Sequence, residues 1–87
     1  PSVSHPGIRR ALAHLHEHYT ERTSLGELAQ IARLSPFYFA RLFRSQTGMT
    51  PGGYLRHLRI ERAKLLLKDG MPISRVAFTT GFYDQSH

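Results

Sequence analysis

The sequence predicts an all-α protein. Three observations carry that prediction: apolar residues recur at helical spacing, five stretches open or close on helix-capping residues, and no stretch alternates apolar and polar positions as a half-buried strand would.

The first helix fits residues 7–19, where Ile8, Ala11, Leu12, Leu15 and Tyr19 share one face of a 3.6-residue period. Residues 1–6, bounded by two prolines, read as the end of a linker. After a polar break at 20–23, Ser24-Leu25-Gly26-Glu27 has the spacing of a capping box. The second helix then runs to about Ala32 and is expected to bury Leu25, Leu28, Ala29 and Ala32. Ser35-Pro36 starts a third helix, with Ser as N-cap and Pro where a missing amide costs nothing, and Gly48 stops it. Thr50-Pro51 repeats that start and opens a long helix to about Lys68, stopped by Asp69-Gly70. Tyr54, Leu55, Leu58, Leu65 and Leu66 form one apolar stripe on it, and Ile60, Ala63 and Leu67 another, so both sides are expected to be packed. Pro72 starts a short helix, Ile73 to Thr80, which Gly81 breaks, and Asp84 reads as the N-cap of a further helix.

Eighty-seven residues allow one compact unit, or two small subdomains sharing an element. There are no cysteines, which excludes a disulfide scaffold and a cysteine zinc finger. No apolar run nears the ~18 residues of a membrane span, so a cytoplasmic protein without membrane partners is expected. The net charge of +6 favours a polyanionic partner, although composition alone fits an ordinary solvated basic surface equally well. Its distribution is more specific. No acidic residue lies between Glu27 and Glu61, a stretch that holds Arg33, Arg41, Arg44, Arg56 and Arg59.

Two segments can be overlaid. Leu28-Ala29 matches Val76-Ala77, Ala32-Arg33-Leu34 matches Thr80-Gly81-Phe82, and a helix start follows each. A small residue in mid-helix, a turn three or four residues on and then an apolar anchor is helix-turn-helix spacing. The predicted fold is therefore two helix-turn-helix subdomains joined by a long central helix, a homeodomain-like arrangement with the second copy incomplete. Its units are 7–48, the connecting helix 49–70, and the start of the second subdomain at 71–87.

The runs "SLGELAQIARLSPFYFARLFRSQTG", "TPGGYLRHLRIERAKLLL" and "ISRVAFTTGFYDQSH" resemble the DNA-binding region of AraC/XylS-type transcriptional regulators, over nearly the whole chain from Ile8 to His87. The resemblance implies two recognition helices entering successive major-groove segments of duplex DNA. It also implies RNA polymerase as a partner, and a sensor or dimerisation domain elsewhere in the parent protein. One departure is Arg33, which stands where such turns usually carry Gly, as Gly81 does in the second copy. The other is that the second recognition helix is cut off as it begins, at His87.

A helical wheel of the third helix puts Tyr38, Phe39, Leu42, Phe43 and Gln46 on the packed side. Pro36, Phe37, Ala40, Arg41 and Arg44 lie opposite. Phe37, Ala40, Arg41 and Arg44 are the candidate base-reading face: arginine can pair bidentately with guanine, and phenylalanine can meet a thymine methyl. The resemblance puts the same positions in the major groove. Ser35 and Pro36, at the helix start, are candidates for positioning the DNA backbone. In the second copy the resemblance implies that Gln85, Ser86 and His87 approach bases or phosphates.

Other constellations carry less. His14, His16 and His18 share a helix, but only Glu17 and Glu21 could complete a metal site, so a solvated helix edge is expected, with no metal or other cofactor. No nucleophile-base arrangement, phosphate loop or carboxylate pair has usable spacing, which argues against an enzyme. The competing functional class is a protein-interaction module or self-associating helical fragment, using Phe78, Phe82 and Tyr83 as an uncovered apolar surface.

Overall fold

The computed structural model describes residues 3–82, which form α1 (Pro6–His18), α2 (Leu25–Ala32), α3 (Pro36–Thr47), α4 (Pro51–Lys68) and α5 (Ile73–Thr79). Among the described residues the fold is all-α: the α2–α3 helix-turn-helix pair and α5, which opens the second pair, are joined by the longer α4. Gln85, Ser86 and His87, with Asp84, lie outside the described residues.

Local chemistry sets the boundaries. Ser24, Ser35 and Thr50 each accept a hydrogen bond from the backbone amide three residues on, and Pro36 and Pro51 follow two of these caps. α1 starts one residue earlier than its periodicity suggests, because His5 Nδ1 accepts from the Gly7 amide at 2.9 Å and serves as the cap. In the Ser24 box, the Ser24 hydroxyl donates to Glu27 Oε1 at 3.4 Å while accepting from the Glu27 amide at 3.1 Å. α2 ends with Arg33 in the left-handed region (φ 62°, ψ 42°), and the Leu34 amide reaches back to the Ala29 carbonyl at 3.0 Å. Gly81 sits at φ 91° in the corresponding turn of the second copy.

The main core joins Ile8, Ala11 and Leu15 of α1 to Leu28, Ala29 and Ala32 of α2 and to Phe39 and Phe43 of α3. Phe39 and Phe43 are fully buried, with ring centroids 5.5 Å apart, and each contributes roughly 1.5–3 kcal/mol by removal from water. Tyr54, Leu55 and Leu58 of α4 pack against this core, and Tyr54 meets Phe43 edge-on. Val3 packs against it too, and Gln46 bonds to the His5 amide and to Ser4, so Val3, Ser4 and His5, read as part of a linker, are tied to the first subdomain.

Three burial expectations need correction. Leu25 is exposed, because it stands in the first turn of α2 at the rim of a cleft rather than over the core. Tyr38 is half exposed, one residue short of the Phe39–Phe43 row that α3 lays on α1 and α2. On α4 the apolar stripes are covered only in part, over the first subdomain and, further along, at the half-buried Ala63 and Leu66. Ile60, Leu65 and Leu67 remain exposed, since the short α5 is the only described helix packed on α4 besides α3 to an appreciable extent.

Candidate nucleic-acid interface

Nine of the ten described arginines, all but Arg22, fall into two groups. Arg9, Arg10 and Arg59 are bound to backbone carbonyls. Arg9 reaches Val3 and Ser4, and Arg10 reaches Ile31 and Ala32 at the exit of α2. Arg59 reaches Tyr19 and Glu21 at the exit of α1. Arg10 and Arg59 are cations at helix C-termini, where they neutralise unpaired carbonyls and the negative end of the dipole, while Arg9 ties the segment before α1 to that helix, so these three are structural. Arg33, Arg41, Arg44, Arg56, Arg62 and Arg75 have no hydrogen bond or ion pair among the described residues.

α3 concentrates the second group. Its core face, Phe39 and Phe43, fixes its rotation about its own axis. Phe37, Arg41 and Arg44, at i, i+4 and i+7, therefore project together to the exposed side. Phe37 is 74% exposed, which no internal packing explains. The Arg41 guanidinium lies 5.7 Å from the Phe37 ring centroid, a cation–π contact that restricts the guanidinium without consuming its donors.

The other sequence candidates are placed differently. Ala40 is half-buried and lines a cleft of about 370 Å³ between the start of α2, the middle of α3 and the start of α4. Thr23, Leu25 and Leu28 form one wall and Pro51, Gly52 and Leu55 the other. The Thr23 hydroxyl is buried without a hydrogen-bond partner among the described residues. Ser35 and Pro36 stand exposed at the entrance to α3. The Ser35 hydroxyl accepts from the Tyr38 amide at 3.3 Å, and proline has no N–H, so the Phe37 amide is left as the unpaired donor of the first turn. That is a single N–H rather than a cluster.

On α1 the His14 and His18 rings lie 4.6 Å apart between centroids. Glu21 Oε2 is 2.8 Å from His18 Nδ1 and Glu17 Oε1 is 3.6 Å from Nε2. The hydrogen bond to Glu21 raises the His18 pKa above its ordinary value, against a smaller opposing effect of desolvation. Among the described residues no group of three or more His, Asp or Glu is placed to hold a metal ion. None of the described helices is long and apolar enough to cross a membrane.

Sequence reasoning missed the division of the arginines. Arg10 and Arg59 occupy polar positions of their helices, as Arg41 and Arg56 do, and only the helix ends brought beside them separate the two groups.

A family model described as a helix-turn-helix domain matches residues 28–87. The chain is 39% identical over 88 residues to the HTH-type transcriptional regulator YbfI of Bacillus subtilis (strain 168), covering 99% of this chain and 32% of that protein. It is 41% identical over 63 residues to the regulatory protein ada of Salmonella typhimurium, covering 72% of this chain and 18% of that protein. It is 32% identical over 81 residues to the HTH-type transcriptional activator RhaS of Escherichia fergusonii, covering 92% of this chain and 29% of that protein. The chain thus spans about a third or less of the length of these relatives. In fold it superposes with a TM-score of 0.83 and 29% identity on the C-terminal domain of AraT, a response regulator from Geobacillus stearothermophilus, covering all of this chain and 72% of that one. With paired helices, left-handed turns and a free basic face in place, the chain belongs to the helix-turn-helix domain family, a non-catalytic class of bacterial transcriptional-regulator domains.

Proposed function

We propose that this chain is the sequence-specific DNA-binding domain of an AraC/XylS-type transcriptional regulator, which lays α3 in the major groove of duplex DNA. The observation that carries the reading is the exposed face of α3: Phe37 beside Arg41 and Arg44, both guanidiniums unengaged by any acid, in a stretch without acidic residues. Arg41 is the base reader, bidentate to guanine, with Phe37 against a neighbouring thymine methyl. Arg44, one turn on, meets the same groove or its edge. Ser35, Pro36 and the free Phe37 amide position the backbone at the entrance of the helix. Ala40, half-buried beside the cleft, leaves room for close approach and makes less base contact than its neighbours. Gln85, Ser86 and His87 open the second reading helix. The parent protein works in the bacterial cytoplasm, with RNA polymerase and a sensor or dimerisation domain as its protein partners.

The test is selection of bound duplexes from a random pool, followed by affinities for single-base variants of the winner. Arg41→Ala is expected to relax preference at one base pair by ~1–3 kcal/mol and to leave the remaining positions unchanged. Equal loss on all sequences would make Arg41 a backbone contact, and a pool without any enrichment would refute the reading.

A further inference from the structure

Where the two subdomains touch, two residues are used in a way the single motifs do not require. The Arg59 side chain, from the middle of α4, donates through Nε to the Tyr19 carbonyl at 2.7 Å and through Nη2 to the Glu21 carbonyl at 3.1 Å. Its guanidinium also lies 6.0 Å from the centroid of Phe82, in the turn that follows α5. One side chain thus holds the α1–α2 loop of the first subdomain and the turn of the second.

Gly81 completes the junction. A Cβ at this position would stand 2.7 Å from the Thr20 carbonyl oxygen and 2.8 Å from the Thr20 Cα, both of them backbone atoms that cannot swing away. The φ of 91° already strains any side chain, and lies further from the region L residues adopt than the 62° of Arg33 in the first turn. The close approach to Thr20 is a second, independent bar. Gly81 is therefore demanded by docking as well as by turn geometry.

We propose that Arg59 and Gly81 form a clasp that fixes the orientation of the second helix-turn-helix on the first, and so sets the spacing between the two DNA segments the protein accepts. Both are positioning residues. The spacing part rests on the DNA-binding reading above; the clasp itself does not. Inserting one base pair displaces the second groove segment by ~3.4 Å along the duplex and rotates it by ~35°. A clasped protein cannot follow that displacement, whereas one joined through α4 alone can.

The experiment uses the intact protein and its selected duplex, with the two half-elements moved apart or together by one base pair. The parent is expected to lose on the order of 10-fold in affinity per added or removed base pair. Arg59→Lys retains charge but cannot bridge two carbonyls and stack, and Gly81→Ala blocks the approach to Thr20. In both, the spacing penalty is expected to shrink to ~3-fold or less, with base preference at the first half-element unchanged. An intact penalty, or a uniform loss at every spacing with the ratio preserved, would overturn the proposal. The lack of cysteines allows an independent arm, with spin labels at Gln30→Cys on α2 and Ser74→Cys on α5, both exposed. A narrow distance distribution in the parent that broadens in Arg59→Lys and Gly81→Ala supports the clasp; one equally narrow in all three refutes it. If no duplex is selected, the functional reading fails while the distance measurement still decides the clasp.

Discussion

Arg33 and Phe37 each occupy a conformation or an exposure that folding alone does not favour. Arg33 holds φ 62° with no compensating bond from its side chain among the described residues. A left-handed non-glycine residue costs about 1–2 kcal/mol, and glycine there gives back part of that through its larger unfolded-state entropy. Arg33→Gly is therefore expected to stabilise the domain by about 0.5–1 kcal/mol, seen as a rise of a few degrees in melting temperature. An unchanged or lower melting temperature would mean that the Arg33 side chain contributes packing that offsets its backbone strain. If the variant is more stable yet binds DNA less tightly, Arg33 is retained for its charge. The sequence made this position legible because the motif aligns Arg33 with Gly81, and only backbone sterics distinguish the two residues. It did not reveal the second demand on Gly81, since Thr20 lies 61 residues away along the chain and is brought close only by folding.

At the scale of the helix, boundaries were readable and coverage was not. Caps are local chemistry: Ser24, Ser35 and Thr50 bond to amides three residues away, so the sequence alone locates them. Coverage depends on what crosses the helix: on α3 Phe39 and Phe43 are buried as the wheel predicts, whereas Tyr38 is half exposed and Ala40, on the opposite side, is half-buried. On α4 both apolar stripes are expected from the sequence to be packed, but Ile60, Leu65 and Leu67 are left exposed. The exit of α1 offers a test at this scale. Glu21 raises the His18 pKa, so the protonated ring is favoured in the folded state. Its stabilisation is fully present below the unfolded value of 6.5 and is lost as pH rises through the higher folded value. His14 stacks on the same ring and Glu17 faces its other nitrogen, so the clean comparison removes Glu21 alone. Glu21→Gln is expected to lower the melting temperature below pH 6.5 and to match the parent well above it. Since His18 is solvent-accessible, the difference should also shrink at high salt. A gap that persists unchanged at alkaline pH would assign Glu21 a role other than pairing with His18.

For the whole molecule, the net charge of +6 becomes informative once the arginines are sorted. Arg9, Arg10 and Arg59 are committed to backbone carbonyls, those of Arg10 and Arg59 at helix C-termini, so these side chains contribute less to any polyanion contact. Arg56 is different. It lies one turn beyond Gly52 on α4, and Gly52 lines the cleft that also borders Ala40 of α3. That places Arg56 on the flank of α4 nearest α3, exposed and without a partner among the described residues. With α3 in the major groove, this flank faces the phosphates along the groove edge rather than the bases. A phosphate contact releases counterions without reading sequence, and each contributes about 0.9 to the slope of log affinity against log salt. Arg56→Gln is therefore expected to weaken binding by a similar factor on preferred and scrambled duplexes and to make the salt slope shallower by ~1. Arg41→Ala should do the reverse, changing base preference more than the slope. Binding isotherms over a range of salt concentrations, for both variants on both duplexes, separate the two roles. A slope unchanged by Arg56→Gln would remove α4 from the interface and leave α3 as the reading element of this subdomain.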